Sequence, residues 1–238
     1  MFQHSPAWPH GPLQAAFPDV FFVVGTNKTH HAGVDIQTSR TMVVVREDGA
    51  LTLLNTVRLD DEGLRALDAL GEVRHVVRLG AFHGRDDPFY CDRYGAELWA
   101  LPAAVHADGR AAEHALAPGG PFPTRDGEVF VFASARFPEA AVLLAREGGI
   151  LITCDAIQNW TRVDRFFSPA CGELFTAQGL IREANIPSTW LGACEPDAED
   201  FRRLLARPFR HLISAHGEPL LDDARTRVQA RVAELFSA

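Results

Sequence analysis

The sequence predicts an α/β fold in which two packed β-sheets carry helices on both outer faces, a four-layer αββα sandwich. Short apolar runs typical of buried strands fall into two blocks, over residues 20–55 and residues 129–154. Helical patterns follow each block, and a strand–helix unit closes each half of the chain. Two sheets that bury one face against each other and the other face beneath helices satisfy this order. Because no polar linker divides the 238 residues, we predict an irregular arm over residues 1–17 and a single domain over residues 18–238.

The first half of the chain carries the signals of five strands and two helices. The strands are predicted at residues 20–24, 41–45, 51–55, 76–79 and 97–101. The first helix begins at a cap on Asp60 or Asp61, carries leucines every three residues on one face and ends at Gly71. A second, short helix is predicted over residues 87–94.

The second half again alternates strands with helices. Residues 107–125 come first; they are rich in Gly, Ala and Pro, which indicates a surface connection. The strands are predicted at residues 129–133, 140–145, 150–154 and 211–214. The helices are predicted near residues 172–178, from residue 197 to a stop at residue 208, and over residues 221–235.

Three of the apolar runs stop at residue types that bind metal ions, namely His83, Asp155 and His216. Strand ends are rigid and hold a side chain where a site needs it, while the adjoining loops are free to close around it. We therefore expect the three residues to share one site at one edge of a sheet. Taken singly, each also fits a hydrogen-bonded turn. Cys154 is expected in the core. Glu139 fits a position pointing into the site or an exposed one, and we expect the exposed one.

Two strings among these runs carry a family resemblance. Thr153-Cys154-Asp155 matches a strand that leads to a metal-bridging Asp, and Ala215-His216-Gly217 matches a late strand that leads to His-Gly. On these strings the chain resembles the metallo-β-lactamase superfamily over residues 20–235. Ala81-Phe82-His83 and the string from Cys154 to Asn159 are similar to a divergent branch that lacks the full metal motif. The resemblance implies an αββα sandwich of the metallo-β-lactamase type with a metal-binding site.

The family's signature His-x-His-x-Asp-His is incomplete in this chain. It falls on residues 83–88, where Arg85 and Pro88 replace two histidines, and Arg136 falls where a further motif supplies another histidine. Arginine keeps its proton in proteins and does not bind a cation. The standard two-metal hydrolase is therefore excluded. The resemblance leaves an at most mononuclear site whose candidate metal ligands are His83, Asp87, Asp155 and His216.

Two function classes follow, and both stay open, as does whether the chain is an enzyme. In the first, a metal-dependent hydrolase, one divalent ion (zinc, iron or manganese) lowers the pKa of bound water and polarises the carbonyl of an ester, thioester or lactone. In the second, a metal-free and non-catalytic protein, Arg85 or Arg136 pairs with Asp155 in place of the missing metal, and an Arg-lined pocket binds an anionic small molecule or partner. The predicted substrate-binding residues are Arg85, Arg136, His31 and Asn159.

Composition limits the partners and the compartment. The formal net charge of −8 argues against binding to nucleic acid or to an anionic membrane surface. No apolar run approaches the ~20 residues of a membrane span, and no secretory signal is visible, so we expect a cytoplasmic protein. The four cysteines form no Cys-x-x-Cys pair, which predicts reduced thiols rather than a disulfide framework or a zinc ribbon.

Overall fold

Two facing β-sheets, each covered by helices, form the protein in a computed structural model that describes residues 3–31, 33–106 and 108–236, the side chain of His31 excepted. The first half contains β1 (Gln14–Phe17), β2 (Val20–Thr26), β3 (Thr29–His31), β4 (Val34–Ile36), β5 (Ser39–Glu47), β6 (Ala50–Leu54), α1 (Asp61–Asp68), β7 (Glu72–Arg78), α2 (Asp87–Tyr94), β8 (Glu97–Ala100) and β9 (His114–Ala115). The second half contains β10 (Gly127–Val131), β11 (Ala140–Leu144), β12 (Ile150–Thr153), β13 (Gln158–Trp160), α3 (Pro169–Ala177), β14 (Arg182–Asn185), α4 (Ser188–Cys194), α5 (Ala198–Leu205), β15 (His211–Ser214) and α6 (Ala224–Phe236). The predicted α/β fold class is confirmed.

Strand order brings two distant parts of the chain to one sheet edge. The larger sheet runs in the spatial order β1-β2-β5-β6-β7-β8-β9, and the smaller one in the order β10-β11-β12-β15. In the smaller sheet β12 and β15 are parallel neighbours, with Thr153 opposite Ser214. The carboxyl ends of both strands, which Asp155 and His216 follow, therefore reach the same edge.

The inner core lies between the two sheets and is built by alternation along the strands. On β5, Val43 and Val45 face the smaller sheet, whereas Met42 and Val44 pack on the helix side. Ile152 on β12 belongs to the same inner layer. Because successive side chains of a strand point to opposite faces, a strand buried on both faces must be apolar throughout.

Helices α1 and α2 cover the larger sheet, and α4, α5 and α6 cover the smaller one. The carboxylate of Asp60 caps α1 by accepting the N–H of Gly63 at 2.9 Å, which turns Leu64 and Leu67 towards the sheet. On the other side Phe201 of α5 is fully buried. Within the described ranges, no helix combines the length and the apolar character that crossing a bilayer requires.

Helix α3 joins neither outer layer. Phe167 and Cys171 pack with Trp160 in a small cluster of their own, to which Phe175 and Ile181 add partly buried side chains. This α3 cluster lies next to the end of β15, because the ring of Trp160 packs on His216, which follows that strand.

Several short strands go beyond the sequence-based predictions. Residues 14–17, predicted as part of an irregular arm, form β1 and pair antiparallel with β2. The hairpin of β3 and β4 and the pair of β13 and β14 were also not predicted. Strands of two to four residues carry too little alternation to be recognised in a sequence.

Candidate functional site

Three titratable side chains meet at the edge of the smaller sheet. Nε2 of His216 lies 3.0 Å from Oδ1 of Asp155 and 3.1 Å from Nε2 of His83. Nε2 of His83 lies 3.4 Å from the same carboxylate oxygen. Asp155 and His216 meet because β12 and β15 are parallel neighbours, and His83 arrives on the loop after β7. These distances show that the three residues converge on one place, and all three are buried.

The loop that carries His83 is held by Arg78, the last residue of β7. Its buried guanidinium donates to the carbonyl oxygens of Gly80 and Ala81 at 3.1 and 2.7 Å. Gly84 needs to lack a side chain, because a Cβ there would lie 2.7 Å from Nε of Arg78 and its φ is +101°. The position of His83 is therefore fixed by the loop and not only by its own contacts.

The first residues of β5 contact both imidazoles. Nη2 of Arg40 donates to Nδ1 of His83 at 2.9 Å, and the carbonyl oxygen of Ser39 accepts from Nδ1 of His216 at 3.2 Å. Sequence reasoning missed both residues. A buried arginine has the same signature in a sequence as an exposed one, and Arg40 lies 43 residues from its partner. Five polar residues in a row before the apolar run, residues 37–41, were the available signal.

These contacts assign the hydrogen on each ring. Arginine only donates, so Nδ1 of His83 is an acceptor and the hydrogen of the neutral ring lies on Nε2. A carbonyl oxygen only accepts, so Nδ1 of His216 carries a hydrogen and Nε2 of a neutral His216 keeps a free lone pair. Oδ1 of Asp155 and Nε2 of His216 are then two acceptors 3.0 Å apart, a separation that requires a proton or a metal ion between them.

Burial and hydrogen bonding set the ionisation of the site. Burial lowers the pKa of His83 to about 4, so the ring is uncharged at pH 7. Burial alone would raise the pKa of Asp155, but the adjacent imidazoles of His83 and His216 outweigh it and hold that pKa well below its ordinary value. The site therefore combines an ionised carboxylate with a neutral N–H donor.

Two further buried groups, Glu139 and Cys154, lie behind Asp155. Oε1 of Glu139 accepts the N–H of Ala156 at 2.7 Å, and Sγ of Cys154 lies 3.6 Å from Oδ2 of Asp155. Burial and the Asp155 carboxylate raise the pKa of both groups well above their ordinary values. The prediction that Glu139 is exposed was wrong, since it is 1% exposed, whereas the core location of Cys154 is confirmed.

Arg85 and Arg136 occupy other places than the predicted one. The guanidinium of Arg85 donates to the carbonyl oxygen of Lys28 at 2.6 Å and to Oγ1 of Thr29 at 2.7 Å. Arg136 is exposed. Among the contacts of the described residues, neither arginine pairs with Asp155, and the guanidinium that reaches the site comes from the start of β5 instead. Roles of Arg85 and Arg136 in substrate binding stay predictions.

The other predicted site residues lie around the three. Asp87, at the start of α2, is buried; its Oδ1 accepts from Oγ1 of Thr56 at 2.5 Å, and its Oδ2 has no hydrogen-bond partner among the described residues. Its role as a metal ligand stays a prediction. The amide group of Asn159 binds two backbone groups at 2.7 and 3.0 Å, so it braces the loop around His216 and does not favour a substrate contact. The side chain of His31 lies outside the described residues.

The donor atoms fit one metal ion better than two. Two atoms bound to the same zinc ion at about 2.0–2.2 Å lie about 3.0–3.5 Å apart, which agrees with the separation of Asp155 and His216. His83 is within reach but presents an N–H. Cys154 lies within 4.8 Å of the donors of His83 and Asp155, but its raised thiol pKa disfavours the thiolate that binds metals. Arg85 and Arg136 stand where two histidines would serve a second ion, and arginine does not bind a cation.

A surface cavity of about 660 Å³ is separate from this site. It lies beside β1, and its lining includes Gln14, Arg162, Arg165 and Glu218 but none of the three converging residues. Arg162 and Glu218 pair with each other at 2.8 Å, so their charges compensate. We assign this cavity no role in the chemistry.

The same architecture occurs in several solved proteins. The chain is similar to the DIM-1 metallo-β-lactamase exposed to ceftazidime (16% identity, 98% of this chain and 99% of that chain, TM-score 0.60). It is also similar to FIM-1 from Pseudomonas aeruginosa in the mono-zinc form (15% identity, 97% of this chain and 97% of that chain, TM-score 0.59). A metallo-β-lactamase from Erythrobacter litoralis is similar as well (14% identity, 93% of this chain and 92% of that chain, TM-score 0.59). No protein-family model and no curated protein matches the chain. These identities bear on architecture alone, and on that evidence the chain has the metallo-β-lactamase fold.

Proposed function

We propose that this chain is a metal-dependent hydrolase of an ester, thioester or lactone, with a single divalent ion held by Asp155 and His216. The observation that supports this most directly is the 3.0 Å separation between Oδ1 of Asp155 and Nε2 of His216 at the ends of β12 and β15. A carboxylate oxygen and an imidazole nitrogen are donors that suit zinc, iron or manganese. One protein of this fold, FIM-1, is described in a mono-zinc form.

A bound divalent ion would supply two effects, a lowered pKa of a water ligand and a polarised carbonyl group. The chain's own residues provide the orientation. The carbonyl oxygen of Ser39 holds Nδ1 of His216, which directs Nε2 towards Asp155. The ring of Trp160 packs on His216 with centroids 4.6 Å apart and limits its rotation.

His83 adds an uncharged hydrogen-bond donor to this arrangement. Its Nε2 lies within 3.4 Å of both Asp155 and His216, and its lowered pKa keeps the ring neutral at pH 7. A neutral imidazole donates to a carbonyl oxygen as negative charge develops there, and it does not repel a neighbouring cation. We assign His83 this donor role in place of the ligand role predicted for it.

Metal analysis tests the proposal. The protein is purified without added metal or chelator, and zinc, iron and manganese are measured by elemental analysis before and after reconstitution. We expect about one equivalent in the wild type, loss of the metal in Asp155→Asn and His216→Gln, and retention in His30→Gln, whose side chain is exposed. A wild type that takes up no metal would refute the proposal. Chromogenic esters, thioesters and lactones then identify the substrate class.

A second candidate function is a metal-free protein that binds an anionic small molecule. One observation favours it: the buried guanidinium of Arg40 already places a positive charge beside His83. In that case a proton lies between Asp155 and His216. The same elemental analysis separates the two functions, because only the second is compatible with a wild type that stays free of metal after reconstitution.

A further inference from the structure

The N-terminal end of β5 approaches both histidines through their Nδ1 atoms, whereas Asp155 approaches them through Nε2. Arg40 donates to Nδ1 of His83 at 2.9 Å, and Ser39 accepts from Nδ1 of His216 at 3.2 Å. Two adjacent residues of one strand thus impose opposite hydrogen positions on the two rings. One ring becomes a donor towards Asp155, and the other becomes an acceptor.

We infer that Arg40 is a positioning residue that keeps His83 from acting as a metal ligand. A histidine that binds a metal through Nε2 carries its hydrogen on Nδ1 and donates it to a carboxylate, carbonyl oxygen or water. Arg40 has no acceptor atom to offer, so a metal on Nε2 of His83 would leave two hydrogen-bond donors facing each other 2.9 Å apart. The hydrogen position on His83 follows from Arg40 alone. What it means for the metal site of the wild type rests on the proposed function.

Arg40 is fixed firmly enough to impose this choice. It is 8% exposed, and Nη1 lies 3.9 Å from Oδ2 of the buried Asp86. Oδ2 of Asp86 in turn accepts the backbone N–H of Arg58 at 3.1 Å. The next residue of β5, Thr41, is joined to the loop after β15 by two hydrogen bonds, which anchors the strand end against the site. Moving Arg40 away from His83 would therefore disturb both the strand end and the ion pair with Asp86.

The consequence concerns metal affinity. Of the three side chains that meet at this edge, Asp155 and His216 offer donor atoms in the right form, whereas catalytic zinc sites usually have three protein ligands. Without Arg40, His83 is free to place its hydrogen on Nδ1 and to add Nε2 as a third ligand. Arg40→Met should therefore bind zinc at least about tenfold more tightly than the wild type, the size of effect typical for partners of metal-binding histidines.

Nitrogen NMR on histidine-labelled protein reads the hydrogen position directly. In metal-free wild type we expect His83 to carry its hydrogen on Nε2, and saturation with zinc to leave that assignment unchanged. In Arg40→Met saturated with zinc we expect the hydrogen on Nδ1 and a metal-shifted Nε2. Arg40→Lys, which keeps a cationic donor, should behave as the wild type. Arg85→Met removes an arginine that contacts Lys28 and Thr29 and should also leave His83 unchanged.

Zinc affinity, measured by competition with a chromogenic chelator, completes the test. The gain in Arg40→Met should disappear in the double variant Arg40→Met/His83→Asn. A wild type that binds no zinc would overturn the proposed function but not this inference, provided that Arg40→Met acquires a His83-dependent site. A zinc-bound His83 in the wild type, or an unchanged affinity in Arg40→Met, would overturn the inference. The NMR assignment of wild-type His83 needs no variant and decides the matter even where Arg40→Met does not fold.

Discussion

Replacing His83 with Asn should flatten the acid side of the stability profile. Asn places Oδ1 where the ring had Nδ1, so Arg40 keeps an acceptor while the titrating ring is lost. The pKa of His83 is lowered in the folded protein to about 4 from 6.5, so between these values the unfolded chain binds a proton that the folded chain does not. The free energy of unfolding of the wild type therefore falls as pH falls through this window. Integrated from pH 7 to pH 4, this shift amounts to about 3 kcal/mol at 1.36 kcal/mol per pKa unit.

Urea denaturation at intervals between pH 7 and pH 4, with a chelator present, measures this difference. At each pH, the free energy of unfolding of His83→Asn is subtracted from that of the wild type, because every other titrating group contributes to both proteins. His30→Asn serves as the matched control: its side chain is 67% exposed and bonded to Asp35 at 2.8 Å, so its profile should follow the wild type. Parallel curves for wild type and His83→Asn would refute the view that the site holds a buried neutral imidazole.

Three further outcomes are expected, each measured by urea denaturation. Glu139→Gln should be more stable than the wild type at pH 7 and equal to it near pH 4. Burial raises the pKa of Glu139, so the folded wild type loses stability as pH rises above about 4.5. A variant less stable at both pH values contradicts this. Gly217→Ala should lower the free energy of unfolding by at least about 2 kcal/mol, because φ is +91° and the Cβ would lie 1.9 Å from a backbone oxygen. Gly95→Ala, with φ +65° and open space around the Cβ, should lower it by about 1 kcal/mol. Equal losses would exclude the clash. Phe201→Ala should lower the free energy of unfolding by about 3–5 kcal/mol, because the ring is fully buried. Val105→Ala, at 82% exposure, should lower it by less than about 0.5 kcal/mol. A small loss at Phe201 would mean that the outer layer is loosely packed.

The layered fold and the meeting of three side chains were accessible from the sequence for one reason. Apolar runs mark strands, and three of these runs stop at residue types that bind metal ions, so His83, Asp155 and His216 could be predicted to lie together. Parallel pairing of β12 with β15 brings Asp155 to His216, whereas His83 follows β7 of the larger, facing sheet. The hydrogen-bond partners were not accessible. The contact between Ser39 and His216 spans 177 residues and uses a carbonyl oxygen, which every residue has. Arg85 or Arg136 was predicted to pair with Asp155, whereas the arginine that reaches the site is Arg40 of β5, and it contacts His83.

Which polar residues are buried and which are exposed could not be predicted from the sequence either. Glu139 follows a proline and precedes an apolar run, a setting typical of a solvated loop end. In the structure it is enclosed because Gly80 and Glu139 form a bridge between the two sheets. Burial of that kind follows from how sheets stack and not from local pattern, so it becomes visible only in three dimensions.

The separate packing of the α3 cluster makes the segment between β13 and β14 a distinct module of the fold. Residues 161–181 leave the end of β13 and return at β14, and their apolar side chains close on themselves instead of entering the main cores. Because Phe167 and Phe175 pack on Trp160, whose ring lies against His216, a different segment of similar span between Trp160 and Arg182 would change the surroundings of this edge, while the backbone at Asp155 and His216 stays anchored by β12 and β15. The fold thereby holds Asp155 and His216 on its smaller main sheet and places beside them a segment with a small core of its own.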